Sequence, residues 1–571
     1  MPGAAAGGSV QRKTSAKTLE RSSVPPNVMS AALPPILTIL RRRSLMESSR
    51  AAPMREQPWV SPGSVVSRTR AIAIFSASWA AAGSAHAAVV SSSAAATPVA
   101  CLFMAVSRSL LYPVVAMIPD RLRQVRLALR VFLVAAVVLL AGPGAAQQPV
   151  QTPLLLMISI DGLRPDYVTA ADAHGAKIPN LRRFLKEGAY AQGVVGVIPT
   201  VTYPSHTTLI TGVAPAAHGI FANTTFDPLR ENQGGWYWYS EDIRVATLWD
   251  AAARAGLSTA SVQWPASVGA RVTWNIPELW RAGTPDDAKL LRAVSTPGLL
   301  AELEPELGPY PRARTVEADE QRTRYAVRIL EKKRPNLLTL HLIALDHVQH
   351  VKGPFTPEVM AALERLDALV GTLRATAETV APGGAHVAIV SDHGFGRTAM
   401  ELNLHSEFRR AGLVTVGAQG KVTDWRAMPW TAGGAIAVML RDPGDAATTA
   451  EVRALLDRLA ADPAHGIDRV LDAAALRARG AFPTAAFVVG LKPDWQAGSS
   501  LTGPLVGKAA MAGMHGHLPD LPDMHASFFV VGPGVPAGHA LGLVDMRDIA
   551  TTLARRLNLP LPAAEGKELW P

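Results

Sequence analysis

From residue 150 onward the chain alternates two hydrophobic patterns. Short, almost wholly apolar runs break off abruptly in polar residues: "LLLMISIDG", "LLTLHLIALDH", "HVAIVSDHG" and, late in the chain, "HASFFVVGPG". Runs this short with both faces apolar predict strands buried between helices. Between them lie "IPNLRRFLKEGA", "LWDAAARAG", "PEVMAALERLDALVGTLRATAETV" and "AEVRALLDRLAA", where apolar residues recur at helical spacing. The alternation predicts an α/β fold with a largely parallel central sheet flanked by helices on both faces. No fixed-period repeat is present, which excludes a solenoid or propeller.

The first 116 residues are different. They are rich in Ala, Ser, Arg and Pro, as in "SSSAAATPVA" and "RRRSLMESSR", and hold no sustained period. This stretch reads as disordered or as the product of a start codon placed too early. Residues 117–146 have a basic start, an apolar stretch from about Val131 to Ala141, and small residues at Gly144 and Ala146. That is the order of a secretory signal peptide cleaved after Ala146, and the apolar run is short of the roughly 20 residues needed to span a bilayer. The expectation is a catalytic domain over 147–571, periplasmic or secreted, with no stable membrane anchor after processing.

Charge and cysteine content then exclude two classes. The formal net charge is +10, but residues 1–146 hold 16 Lys+Arg against 4 Asp+Glu, which leaves 40 against 42 for residues 147–571. The folded part is near neutral, so no nucleic-acid-binding surface is indicated. The single cysteine, Cys101, lies upstream of the signal, so neither disulfides nor a thiolate metal site is available to the mature chain.

The first three apolar runs end in Asp161, Asp346 and Asp392, with His393 directly after the last. Ligands bind outside the carboxyl ends of strands in open α/β sheets. One such Asp is ordinarily a turn or helix cap, but capping explains three at equivalent positions poorly. "DHVQH" places Asp346 and His350 four apart, on one face of a helical turn. "GMHGHLPD" adds His515 and His517 in a Gly-flanked loop. Carboxylate and imidazole without thiolate suit zinc or manganese at a catalytic site. In "PTVTYPSHTTLITG", Thr202 is either a helix cap or a hydroxyl set where free backbone N–H groups hold an anion.

The order of "MISIDGLRPDY", "PTVTYPSHTTLITGVAPAAHGIFANTTFDP", "LDHVQHVKGP", "SDHGF" and "MHGHLPDLPDM" resembles the nucleotide pyrophosphatase/phosphodiesterase family of the alkaline phosphatase superfamily. The resemblance implies an alkaline-phosphatase-like fold and a site for two Zn2+ or other divalent ions. Asp161, Asp392, His393 and Thr202 would surround one ion; Asp346, His350 and His515 would hold the other. It further implies that Thr202 is the nucleophile, that Tyr203 flanks the substrate, and that Asn223 donates to a phosphoryl oxygen. Where the family often has an aromatic, this chain has His517, an alternative to His515 as ligand. His347, within "DHVQH", is expected to partner a neighbouring carboxylate rather than a metal. Trp264, in a W-P segment similar to the family's, is the expected pocket-wall aromatic, and its rival role is in the core.

The implied activity is hydrolysis of a phosphodiester or pyrophosphate bond in a small-molecule or nucleotide substrate. Two metals would activate both the hydroxyl and the second-step water, through a phosphothreonine intermediate. A phosphomonoesterase or phosphonate hydrolase of the same superfamily uses a similar constellation. A sulfatase is excluded, because no Cys or Ser in a C/S-x-P-x-R context lies near Thr202. The non-enzymatic alternative is a periplasmic metal-binding scaffold. Leaving-group identity and oligomeric state are not legible in the chain.

Overall fold

The computed structural model describes residues 153–232, 235–281 and 285–570. The expectations for the leader, the signal peptide and Cys101 lie outside these residues. A sheet of eight strands organises the rest: β1 (Leu154–Ile160), β2 (Ala189–Tyr190), β3 (Thr259–Val262), β4 (Trp274–Ile276), β5 (Leu337–Leu342), β6 (Ala385–Val390), β7 (Phe528–Val531) and β8 (His539–Ala540). In space the order is β8-β2-β7-β6-β1-β5-β3-β4. The five strands from β6 to β4 are mutually parallel. β7 is antiparallel to both its neighbours, so the sheet is mixed. The reason is chain path: Ser527, just before β7, accepts from Ser391 N–H beyond the carboxyl end of β6. The chain therefore enters β7 from the end where the parallel strands finish, and must run the other way.

The apolar runs are buried on both faces because alternate side chains of a strand point to opposite sides. Leu156, Ile158 and Ile160 of β1 join Leu338, Leu340 and Leu342 of β5 in one core, covered by Leu363 and Leu366. Leu155 and Met157 face the other way, onto Leu209, Ile210, Ile549 and Leu553. The expected helices form as Pro179–Glu187, Leu248–Arg254, Pro357–Val380 and Ala446–Ala460. Toward the carboxyl ends of the strands the second face turns polar, with Ser159, Ser261, Thr339 and His341 all buried. Over it lies helix α1 (Thr202–Thr211), whose ten residues are all buried.

Between β6 and β7 the chain builds a separate antiparallel sheet from Ala427–Ala432, Ala435–Leu440, Ile467–Asp472 and Ala485–Leu491. It has its own core, around Ile436, Val438, Leu456 and Val489. The hairpin tip at Gly433 and Gly434 touches the loop bearing His515. A Cβ on Gly433, whose φ is +66°, would stand 2.1 Å from the His515 carbonyl oxygen, so glycine is required there. Among the described residues no helix is long and apolar enough to cross a membrane.

Candidate metal centre

Asp161 follows directly on the end of β1, and Asp392 is separated from the end of the adjacent β6 by Ser391 alone, the register pairing Ser159 with Val390. Asp346 stands beyond its strand, on the helical turn that the four-residue spacing to His350 allowed. β5 ends at Leu342, and Asp346 lies in the first turn of helix α2 (Ala344–Lys352). The helix brings His350, four residues on, to the same face, with Nε2 at 3.3 Å from Asp346 Oδ1. His515 Nε2 is 3.5 Å from the same oxygen, and its ring lies flat on that of His393, 3.6 Å between centroids. His393 Nε2 stands 3.4 Å from Asp161 Oδ1 and 3.2 Å from Asp392 Oδ2.

The tautomers decide what this cluster is. His393 Nδ1 faces the Gly394 carbonyl (3.0 Å), His350 Nδ1 the Gly513 carbonyl (3.0 Å) and His515 Nδ1 the Thr200 carbonyl (3.1 Å). Each Nδ1 is therefore the donor, and every Nε2 is directed at carboxylate oxygens. On His393 and His515 that Nε2 is a lone pair, whereas on His350 burial is outweighed by Asp346, which favours a proton there in the metal-free site. Asp392 Oδ1 accepts from the N–H groups of Gly162 and His393, and Asp161 Oδ2 from His341 Nε2. The inward atoms, Asp161 Oδ1, Asp346 Oδ1, Asp392 Oδ2 and His393 Nε2, are buried and have no hydrogen-bond partner. Lone pairs facing lone pairs in a buried site are a mutual repulsion that cations would convert into ligation. The residues fit divalent metals. Two sets, Asp161–Asp392–His393 and Asp346–His393–His515, each bring ligand atoms within 4.8 Å of one another.

Electrostatics bear the same mark. Burial, then Asp392 and Asp346, pushes Asp161 well above the usual carboxylate range. Burial also acts upward on Asp346, but the nearby His350, His515 and His393 outweigh it and hold that carboxyl below its ordinary value. Burial lowers His393 to about 4 and drives His515 well down. Each is thereby kept as a neutral ligand.

Thr202 is the first residue of α1, preceded by Val201 as N-cap, and its hydroxyl makes no capping bond. The capping role is thus ruled out by position. Thr202 lines a cavity of about 80 Å³ together with Asp161, Asp346, His350 and His515. Asn223 lines it too. Its Oδ1 accepts from Tyr203 N–H at 2.9 Å, which leaves its Nδ2 hydrogens as the free donors. His206, one turn into α1, bonds back to the Thr202 carbonyl through Nδ1 and meets Ser159 Oγ through Nε2, both at 2.8 Å.

Two expected substrate contacts are corrected. Tyr203 is fully buried, packed edge-on against Trp236, with its hydroxyl toward Glu278. Trp264 is fully buried as well, wedged between His206 and Trp249. Neither reaches the cavity, because the side chains around them close over their rings. The aromatics that do line it are Trp236 and Trp280. His517 turns away from the cluster to donate to the Trp495 carbonyl at 2.8 Å, with its ring filling the space left by the absent side chain of Gly434. His347 is exposed on the outer side of α2.

The sequence reading missed His341, Glu278 and Arg314. His341 was signalled by an imidazole inside an apolar strand run, and it holds Asp161 from β5. Glu278, two residues beyond β4, is buried in the cavity wall. Burial, opposed by Arg314 and Arg322, pushes it up to about 8. No local pattern marks Arg314, which reaches the cavity from a loop.

Comparisons with known proteins agree with this geometry. The family model for type I phosphodiesterase/nucleotide pyrophosphatase matches residues 155–518. Human ectonucleotide pyrophosphatase/phosphodiesterase family member 1 is 25% identical over 256 residues, 43% of this chain and 24% of that protein. Bis(5'-adenosyl)-triphosphatase enpp4 of Xenopus laevis is 33% identical over 121 residues, 20% of this chain and 25% of that protein. The matches thus span about a quarter of these relatives. Human ectonucleotide pyrophosphatase/phosphodiesterase 5 superposes with a TM-score of 0.53 at 20% identity, covering 73% of this chain and 97% of that one. The murine protein, in an inactive form bound to AMP, gives the same TM-score at 19% identity. The shared fold is the alkaline-phosphatase-like α/β architecture, and by the length of the family match the chain belongs to the type I phosphodiesterase/nucleotide pyrophosphatase family.

Proposed function

We propose that the protein is a two-zinc phosphodiesterase or nucleotide pyrophosphatase that works through a phosphothreonine at Thr202. The observation that carries this reading is the convergence of three imidazoles, each with Nε2 turned inward, and three carboxylates beside a hydroxyl that is not the helix cap. Asp161, Asp392 and His393, with Thr202, would hold one divalent ion. Asp346, His350 and His515 would hold the other. When bound, the two ions lower the pKa of the hydroxyl and of water and offset charge on the phosphoryl oxygens.

The chain's own groups supply the rest. Thr202 Oγ gives up its proton to solvent and forms the new bond to phosphorus as the bond to the leaving oxygen breaks, and the leaving group departs with the bonding pair. Water then attacks the phosphothreonine, its P–O bond to Thr202 breaks, and the hydroxyl is restored. Asn223 offers Nδ2–H to a phosphoryl oxygen, held in place by its bond to Tyr203 N–H. His206 pins the first turn of α1, and thus the direction of the Thr202 side chain, by its bond to the Thr202 carbonyl.

The test is zinc content by mass spectrometry together with relative rates on a nitrophenyl phosphodiester, a nitrophenyl phosphomonoester and a phosphonate. A protein with about two zinc ions and fastest turnover of the diester supports the reading. Faster monoester or phosphonate turnover would move it to those classes, and metal without turnover would leave the scaffold. The same reading places the mature protein in the periplasm or outside the cell. N-terminal sequencing of the exported form should begin near Gln147, and an intact leader on active, membrane-free protein would overturn that.

A further inference from the structure

We infer that Arg314 determines specificity by receiving a second anionic group of the substrate, beside the phosphoryl group that is transferred. The inference rests on the function proposed above and narrows its substrate class to phosphoanhydrides, in preference to phosphodiesters whose leaving group carries no further phosphate. Arg314 is exposed and lines the same cavity as Thr202, Asn223, Asp346 and His350. Its guanidinium stacks on Trp280, 4.6 Å from the ring centre, and Trp280 in turn meets Trp236 edge-on at 5.2 Å. Among the described residues it forms no hydrogen bond or ion pair, so its donors are open toward the cavity. An arginine held over an indole with its fork unfilled is suited to a phosphate or carboxylate, which it binds by paired hydrogen bonds.

Its position is fixed rather than floppy. Arg314 sits between Ala313, whose carbonyl accepts from Arg322 at 2.7 Å, and Thr315, whose hydroxyl caps helix α3 (Val316–Lys333). Arg322 is paired with the buried Asp319 at 2.6 Å, and Asp319 accepts from Ala344 N–H at 2.8 Å, the first residue of α2. One buried ion pair thus holds both the Arg314 loop and the helix bearing Asp346 and His350. The distance from the guanidinium to the metal ligands is set by this shared anchor.

A bland role exists for the same residue. Glu278 lies buried in the same cavity wall, and Arg314 opposes its upward shift, so Arg314 could serve only to balance that carboxylate. The two roles differ in what a substitution does. A charge balancer affects every substrate alike and lowers the melting temperature; a substrate contact affects only substrates with the second anion.

The experiment measures kcat/KM on ATP and on the nitrophenyl ester of thymidine 5'-monophosphate, for the wild-type enzyme, Arg314→Ala and Arg314→Lys. Calorimetric binding of α,β-methylene ATP and of AMP accompanies it. Arg314→Ala should lose about 10–100-fold on ATP and in affinity for the methylene analogue, with less than about 3-fold change on the nitrophenyl ester and on AMP. Arg314→Lys should recover part of the loss, since it restores charge without the fork. Equal losses on both substrates, or none on ATP, would overturn the assignment while leaving the phosphodiesterase reading intact. A wild-type enzyme that turns over neither substrate would overturn that reading and this inference together. Should Arg314→Ala not fold, the Lys variant decides, by the same ratio.

Discussion

The two halves of the metal centre are built in different ways. Asp161, Asp392 and His393 extend from neighbouring parallel strands, and all three are buried, the last two completely. Asp346 and His350 stand on a helix and His515 on a distant loop, and their side chains keep 16%, 19% and 8% exposure. The first half is positioned by the hydrogen-bond register of the sheet. The second depends on two separate tethers, the Asp319 contact to Ala344 N–H and the Gly433–Gly434 tip beneath His515. A strand-end site is stiff because moving it breaks the sheet; a helix-and-loop site can shift at less cost.

Thr202, which adjoins both halves, offers the largest effect. Thr202→Ala should lower turnover by at least about 10³-fold with metals and melting temperature nearly unchanged, because the hydroxyl caps nothing. Thr202→Ser should retain part of the rate. A chiral phosphorothioate diester should be turned over with retention at phosphorus, and inversion would point to direct attack by water.

Neutralising one carboxylate in each half separates them by sign. Both Asp161→Asn and Asp346→Asn should weaken metal binding by at least about 10–100-fold. In the metal-free protein at neutral pH the stabilities should diverge. Asp161 is burdened by burial and by Asp392, so its ionised form costs stability, and the Asn variant should melt higher. Asp346 is pushed up by burial, but His350, which keeps its proton more readily in the folded state, outweighs that and holds it ionised, so its Asn variant should melt lower. Shifts of the same sign in differential scanning calorimetry would collapse the distinction between the halves.

Gly433→Ala tests the loop tether. The added methyl meets the His515 carbonyl oxygen, so affinity for one metal should fall about 10-fold while the other stays bound. Loss of both ions in a titration would show that the halves are not separable.

The smallest expected effect is in the pH dependence of the metal-free protein. His393, depressed to about 4 by burial, binds its proton more readily when unfolded. It therefore removes stability as pH falls from about 6.5 toward 4. His350 is pulled down by burial but raised further by Asp346, so it binds its proton more readily when folded. Its contribution is complete below about 6.5 and is lost as pH rises through its folded value. Thermal melts should show His393→Gln flattening the acid limb and His350→Gln the alkaline one.

The same contrast governs what the chain revealed in advance. Asp161 and Asp392 were legible because a buried strand is a continuous apolar run and the first acid after it stands at the sheet's edge. Asp346 was found by the same rule but belongs to a helix, since the turn through Ile343 into α2 leaves no mark in an apolar pattern. His515 was separable from His517 only once the Trp495 carbonyl was in view. Tyr203 and Trp264 were misplaced because an aromatic next to a nucleophile can face either inward or outward, and the packing of Trp236, Trp249 and His206 settles which. Glu278 and Arg314 come from segments whose only local signature is polarity. Their nearness to the centre is a property of topology.

The ring contact between His393 and His515 spans the whole antiparallel lobe in the chain, so the lobe and its glycine hairpin lie between the two histidines in order of synthesis. The sheet itself closes longer stretches, since β1 pairs with β5 and β6 far along the chain. Both kinds of closure cost entropy that only distant contacts return. A nascent chain released before residue 515 would carry six of the seven proposed ligands, Thr202 among them, and would lack only His515. On the proposed reading the second ion's ligand set is thus completed at a single late step, when residue 515 has been added.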